Sequence, residues 1–128
     1  INETEEKGRK GILHHWVIIR VWDNFVLGLI GFDRITRSDK AVWNLGYWVR
    51  SSEQQRGIAR MSVDAALDWI KEKKPVFIEL KVDPNNIPGR STVFRIVNDW
   101  NGKRHIEGDA AITISGLRTM HECYLVEI

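Results

Sequence analysis

The chain is short of most features that would classify it at once. It has one cysteine, Cys123, in 128 residues, so no internal disulfide can form and a free thiol fits a reducing compartment. Proline is scarce, with three residues, and no low-complexity tract or linker composition interrupts the chain. Long apolar runs are missing: the longest, Phe25 to Phe32, falls well short of the ~20 residues a spanning helix needs. No signal-peptide pattern opens the chain. Charge of one sign is missing too. Nineteen Lys and Arg against 17 Asp and Glu leave a net charge of +2, and with the signs interspersed no basic stripe marks a nucleic-acid surface. The four histidines lack ligand spacing: His14 and His15 face opposite ways in a strand, and His105 and His121 stand apart, so no metal is expected. Cys123, between Glu122 and Tyr124 with no cation beside it, reads as core and not as a nucleophile. These absences predict a soluble, cytoplasmic protein without membrane or nucleic-acid partners.

What is present is a globular composition, 43% hydrophobic and 28% charged, with six tryptophans, enough for one core in a single domain over 1–128. Ile1 to Gly11 is charged with no apolar period and predicts a flexible arm. The chain opens on Ile1 and not on Met, as a fragment or a processed form does. Leu13 to Trp22 and Phe25 to Ile35 read as strands of a hairpin turning at Asp23-Asn24, with Gly28 and Gly31 marking a bulge or a close contact. A polar turn, Thr36 to Lys40, leads into a strand from Ala41 to Arg50. On it Val42, Asn44, Gly46 and Trp48 face one way, and Trp43, Leu45, Tyr47 and Val49 the other. A helix from Met61 to Lys73 follows, with one apolar row at Ile58, Met61, Ala65 and Trp69 and a second at Val63, Ala66, Leu67 and Ile70. Pro75 ends it, and Val76 to Val82 is a strand, so strand, helix and strand make a βαβ unit with a parallel pair. A loop, a short helix from Ser91 to Trp100, and a hairpin of Arg104 to Ile114 with Leu117 to Ile128 about Ser115-Gly116 complete the chain.

The junction Gln54-Gln55-Arg56-Gly57-Ile58-Ala59-Arg60 carries the chemistry. A glycine where a helix opens admits close approach, and the first N–H groups there have no partner inside the helix. Those groups and the positive end of the helix dipole suit a phosphate. Arg56 and Arg60 in the first turn cost roughly 0.3 to 1 kcal/mol each unless an anion neutralises them. No Lys-Ser or Lys-Thr follows the glycine, which excludes a triphosphate loop, and the glycines of a dinucleotide fingerprint are lacking.

The Q-x-x-G-x-A pattern of this turn resembles the GCN5-related N-acetyltransferase (GNAT) superfamily. Gly31-Phe32 to Ile35, Leu45-Gly46-Tyr47-Trp48-Val49, and Glu79-Leu80-Lys81-Val82 with Asn85-Asn86 extend the resemblance, in order, to its ribosomal-protein N-terminal acetyltransferase (RimJ/RimL-type) branch. Spermidine acetyltransferases share much of it. The resemblance implies an α/β (α+β) fold with a mixed, mostly antiparallel sheet, a central parallel strand pair and flanking helices. It also implies acetyl-coenzyme A as cofactor. Its pyrophosphate would rest on the amides of Arg56, Gly57, Ile58 and Ala59, with Gln54, Gln55, Arg60 and Asn86 nearby, and its pantetheine along the backbone of Trp48 and Val49. The implied reaction is direct attack by a primary amine, borne by a protein N-terminus, a polyamine, an amino sugar or a drug.

The departures from the pattern matter as much. Asn86-Ile87-Pro88-Gly89-Arg90-Ser91 displaces the serine that relatives place near the sulphur, so Ser91 reads equally as the acid for the departing thiolate or as a helix N-cap. Asn44 stands where relatives often carry Glu; it can orient a water or an amine but cannot take a proton. Glu79 reads as a base acting through water or as an exposed carboxylate. The tyrosine acid of other branches is absent, with Phe94 nearby. Relatives also place a strand and two helices before the first hairpin, walling the acceptor site. Here a fragment, a disordered region, or a second chain as in a homodimer accounts for their absence. Two functions follow: an N-acetyltransferase, or a degenerate module that holds coenzyme A without catalysis.

Overall fold

A computed structural model describes residues 13–37, 40–73 and 77–128. The expected arm at 1–11, the centre of the polar turn before Lys40, and Pro75 lie outside the described residues. The chain runs β1 (Leu13–Ile19), β2 (Val26–Arg37), β3 (Lys40–Val49), a 3₁₀ turn (Ser51–Glu53), α1 (Ile58–Lys71) and β4 (Phe77–Val82). It continues with α2 (Ile87–Asp99), β5 (Lys103–Arg104), a second 3₁₀ turn (Ile106–Gly108), β6 (Ala110–Ile114) and β7 (Leu117–Glu127). The sheet has the order β1-β2-β3-β4-β7-β5, with β6 paired to β7. β3 and β4 are parallel and every other pairing is antiparallel. This is the mixed α/β architecture that the resemblance implies.

The period-two alternation of the strands sets one face against both helices. Ile30 and Phe32 of β2, Leu45 of β3, Ile78 and Leu80 of β4, and Val126 of β7 meet Val63, Ala66, Leu67 and Ile70 of α1 and Ile96 of α2 in one core. Burying a side chain such as Leu67 there contributes about 1.5 to 3 kcal/mol. Of the two helical rows, the second is fully buried, while in the first Met61 is 66% exposed, Ala65 is also exposed and Trp69 packs against the core. The four buried positions of α1 face the sheet. Three tryptophans, Trp16, Trp43 and Trp69, close one end of the core with Phe32 and His14, ring centroids lying 4.9 to 6.5 Å apart. Burial first, then Lys73 and His15, push the His14 pKa below its ordinary value. Trp100, at the end of α2, donates its indole N–H to Asp64 (2.9 Å), pinning α2 to α1.

Several boundaries differ from expectation, each for a local reason. The first hairpin does not turn in two residues. β1 stops at Ile19, and a wider loop is closed by Arg20 N–H to Phe25 O (2.9 Å) and by the Arg20–Asp23 ion pair, with Asn24 left-handed at φ 58°. Gly28 and Gly31 are close-contact glycines: a β-carbon would overlap the Trp48 carbonyl at the first and the His15 ring at the second. β2 runs past Ile35 to Arg37. α1 starts at Ile58 and ends at Lys71, before Pro75 is reached. α2 begins four residues earlier than expected because Asn86 caps it, its Oδ1 accepting the Gly89 N–H at 3.1 Å, and Pro88 suits the first turn. Ser91 is therefore not the N-cap. The expected strand from Arg104 to Ile114 is broken, since Arg104 grips Asp109 with two bonds of 2.6 and 2.7 Å and folds the intervening residues into the second 3₁₀ turn. That pairing, then the Cys123 N–H, holds the Asp109 carboxyl down at about 2.

Candidate functional site

The site begins where the parallel pair comes apart. β3 and β4 are in register from Val42↔Phe77 to Leu45↔Leu80 and no further, although β3 continues to Val49. The phase of the remaining edge follows from β2: the Arg50 N–H bonds to Leu27 O at 2.7 Å, so even-numbered residues of β3 turn their backbone to β2. Tyr47 and Val49 turn theirs to the open side. Of the two expected pairing residues, Trp48 turns its backbone to β2 and Val49 to the open side, where the Val49 carbonyl already accepts the Gln54 side-chain amide at 3.0 Å. Gln54 staples the turn to the strand. The side chain of Tyr47 faces the core, where burial pushes its phenol up to about 12.

The turn itself is shaped by two left-handed residues, Gln55 (φ 63°) and Gly57 (φ 77°). A β-carbon on Gly57 would meet nothing within 4 Å among the described residues, so its backbone conformation, not packing, asks for glycine. Gly57 is the N-cap of α1, with no side-chain cap and no acidic residue in the first turn, and Met61 N–H to Gly57 O (3.0 Å) is the first helical bond. The amides of Ile58, Ala59 and Arg60 are left without a partner among the described residues and face a cleft.

That cleft, about 660 Å³, lies between the end of β3, the turn and the first half of α2. It brings together the sequence candidates Trp48, Val49, Gln54, Gln55, Gly57, Ile58, Ala59, Arg60, Asn86 and Ser91. Arg56 is not among its lining residues. It precedes the N-cap and pairs with Glu53 at 3.2 Å, while Arg60 bonds Asp99 of α2 through Nε (3.1 Å) and Nη2 (2.7 Å). The cost expected of two cations in a first turn is therefore offset by carboxylates in the chain itself. Sequence reasoning missed Arg95, which also lines the cleft and has no carboxylate partner among the described residues. Its spacing of four from Ser91, on one helical face, is the signal that would have found it.

Asn44 and Glu79 lie apart from this cleft, side by side in the β3–β4 register, on the sheet face away from the helices. Glu79 is completely buried, which overturns the reading of an exposed carboxylate. Lys81, another residue missed, donates to Asn44 Oδ1 (2.7 Å) and to Glu79 Oε1 (3.2 Å), and His105 Nε2 stands 3.8 Å from Glu79 Oε2. With its carbonyl oxygen already accepting from Lys81, Asn44 still offers its NH₂ to orient a neighbour. Cys123 is buried, as expected of a core thiol.

The model of the acetyltransferase (GNAT) domain family matches residues 2–96. The chain belongs to the GNAT acetyltransferase family. As a GNAT domain it shares its fold with the ribosomal-protein-S5-alanine acetyltransferase from Vibrio fischeri, at 19% identity and TM-score 0.77, over 97% of this chain and 66% of that one. It is also similar to Mycobacterium smegmatis RimJ in complex with CoA-disulfide, at 22% identity and TM-score 0.76, over 98% of this chain and 58% of that one. A third is the microcin C7 self-immunity acetyltransferase in complex with acetyl-CoA and AMP, at 16% identity and TM-score 0.76, over 99% and 67% of the two chains. The GNAT chain thus spans 58 to 67% of the length of these three structures. No curated protein matches it in sequence.

Proposed function

We propose that this GNAT domain is an acetyl-CoA-dependent N-acetyltransferase that passes an acetyl group to a primary amine by direct attack. The observation that carries the reading is the three amides of Ile58, Ala59 and Arg60, unpartnered among the described residues, at the mouth of a cleft continuous with the open edge of β3. They fit a pyrophosphate, the open backbone of Tyr47 and Val49 fits an amide-bearing arm, and Arg95, without a carboxylate partner among the described residues, supplies a cation for a further phosphate. Acetyl-CoA supplies an acetyl group activated as a thioester.

The chain's own residues do the rest. An N–H on the open edge can face the thioester oxygen, a donor of a kind typically worth about 100- to 1,000-fold in rate. Ser91, exposed on the cleft side of α2, stands as the proton donor for the leaving thiolate. Glu79, bridged to Asn44 by Lys81, is the acceptor for the amine's proton through water. Holding both reactants together supplies much of the remaining effect by proximity. Among acceptors, a protein N-terminus has the support of the fold neighbours that act on ribosomal proteins, and a cytoplasmic site of action goes with such a cofactor and acceptor.

A second reading keeps the cofactor without the chemistry. It is favoured by the complete burial of Glu79 and by the commitment of the Asn44 oxygen to Lys81. Calorimetric titration with acetyl-CoA, followed by a panel of amines with thiol release as readout, separates the two. Turnover with an amine, reduced by Ser91→Ala with acetyl-CoA affinity unchanged, supports the enzyme. Binding without turnover on any amine supports the module, and no binding refutes both.

A further inference from the structure

Lys81 differs from the other lysines of the chain. Among the described lysines it alone is not exposed, its side chain keeping 13% of its surface beside the fully buried Glu79. Its Nζ donates to Asn44 Oδ1 at 2.7 Å and to Glu79 Oε1 at 3.2 Å. A base must lie within hydrogen-bond reach of the proton it removes, directly or through one water. Glu79, proposed above to serve an incoming amine through water, therefore already meets an amine of the chain directly.

The backbone sets that amine at the end of the path open to the cofactor. β3 and β4 stay paired only as far as Leu45↔Leu80, so Lys81 is the first residue of β4 past the point where the β3 edge opens. An arm that starts from the amides of Ile58, Ala59 and Arg60 and follows Val49 and then Tyr47 meets the paired strands at Leu45 and can go no further between them. Its acyl end is thus brought to the fork. Period-two alternation puts Glu79 and Lys81 on one face with Asn44 and Gly46, and Gly46 sets no side chain between Lys81 and the open edge. The other described lysines lie elsewhere: Lys40 opens β3 beside the Phe77 ring, Lys71 and Lys73 stand at the end of α1, and Lys103 is on β5.

We propose that this chain acetylates itself at Lys81, with Glu79 as the base. This deepens the acetyltransferase reading and rests on it. One proton passes from the Lys81 ammonium to Glu79 and on to solvent, and rotation about Cε–Nζ turns the freed lone pair to the thioester carbon. The bond from Nζ to that carbon forms as the carbon–sulphur bond breaks, and the second proton lost by the nitrogen leaves on the sulphur as free thiol. Nothing is oxidised or reduced. The product is a neutral amide, so the charge that engages Glu79 and the Asn44 oxygen is removed, while His105 remains 3.8 Å from the other oxygen of Glu79.

The test takes the whole chain, first shown by peptide mass spectrometry to be unmodified at Lys81, and adds isotope-labelled acetyl-CoA with no amine present. A parallel sample of the free chain receives acetic anhydride. Label is measured at every lysine, and acetyl-CoA binding is followed by calorimetry. A free reagent reaches exposed amines first, so with the anhydride Lys71, 46% exposed, should label well before Lys81. With acetyl-CoA the order should reverse, Lys81 carrying about 10-fold or more label than any other lysine and approaching one acetyl per chain. Excess coenzyme A should suppress this labelling. Glu79→Gln should slow it about 100-fold with acetyl-CoA affinity kept, and Lys81→Arg should abolish it; the comparison of the two reagents on the wild-type chain stands even if Glu79→Gln does not fold. Acetyl-CoA bound with Lys81 unlabelled, the same order of labelling with both reagents, or full labelling of a folded Glu79→Gln chain overturns the proposal and leaves the cofactor reading standing. Absence of acetyl-CoA binding overturns the two together.

Discussion

The left-handed cap at Gly57 gives the most direct control over the turn. Its φ of 77° is open to glycine, costs a side chain with a β-carbon about 1 to 2 kcal/mol, and is tolerated by asparagine. Because the space beside it is empty, no clash adds to that cost. Unfolding entropy of about 2.1 cal/mol/K per residue over the 128-residue chain gives roughly 0.27 kcal/mol per degree. Gly57→Ala should then lower Tm by about 4 to 7 °C, and Gly57→Asn by less. Coenzyme A at about 100 times its Kd adds roughly 2.7 kcal/mol, or about 10 °C, to the wild-type chain. If Gly57→Val relaxes out of the left-handed region, the amides of Ile58, Ala59 and Arg60 are re-aimed. Losing one charge-assisted bond, about 1.5 to 3 kcal/mol, would cut the ligand shift to about 1 to 5 °C. Differential scanning fluorimetry with and without coenzyme A reads both numbers. Equal ligand shifts in wild type, Gly57→Asn and Gly57→Val would refute the argument that these amides hold the anion.

Three further outcomes are expected. Asn86→Ala should cost about 1 kcal/mol in urea denaturation through loss of the α2 cap, whereas Ser91→Ala should stay within about 0.5 kcal/mol of wild type. The depressed pKa of His14 means that, below about pH 6.5, the unfolded chain takes up a proton that the folded chain refuses. Stability should therefore fall as pH drops from about 6.5 toward the folded pKa, and His14→Phe should flatten that part of the curve when denaturation midpoints at pH 7.5 and 5.5 are compared. Ser115 and Gly116 both have positive φ, 52° and 80°, as a type I′ hairpin turn demands. Ser115→Asn should thus raise Tm slightly, and a lower Tm would count against that assignment.

The elements with a single dominant local signal were legible in the sequence. The alternation along β3, the row Val63, Ala66, Leu67 and Ile70, the βαβ order and the Ser115-Gly116 turn all have their expected places. Boundaries set by a distant side chain were not. The Arg104–Asp109 pair breaks a strand that reads as continuous, and Asn86, a few residues from the expected helix start, takes the cap from Ser91. The same division runs through the site. Glycine at the helix opening follows from backbone chemistry, so the turn can be read from seven consecutive residues, Gln54 to Arg60.

By itself, then, the sequence determined the fold class, the glycine turn at the helix opening and the family pattern, because each depends on residues near one another in the chain. Tertiary structure decided the rest. It decided which backbone edge of β3 is free, because the register with β2 fixes the phase. It decided that Arg60 is neutralised by Asp99, from a helix 39 residues away in the chain, and that Glu79 is buried beside Lys81 and His105 and not exposed. These are facts of long-range apposition, and side chains far apart in the chain acquire partners only when the strands and helices that carry them are packed.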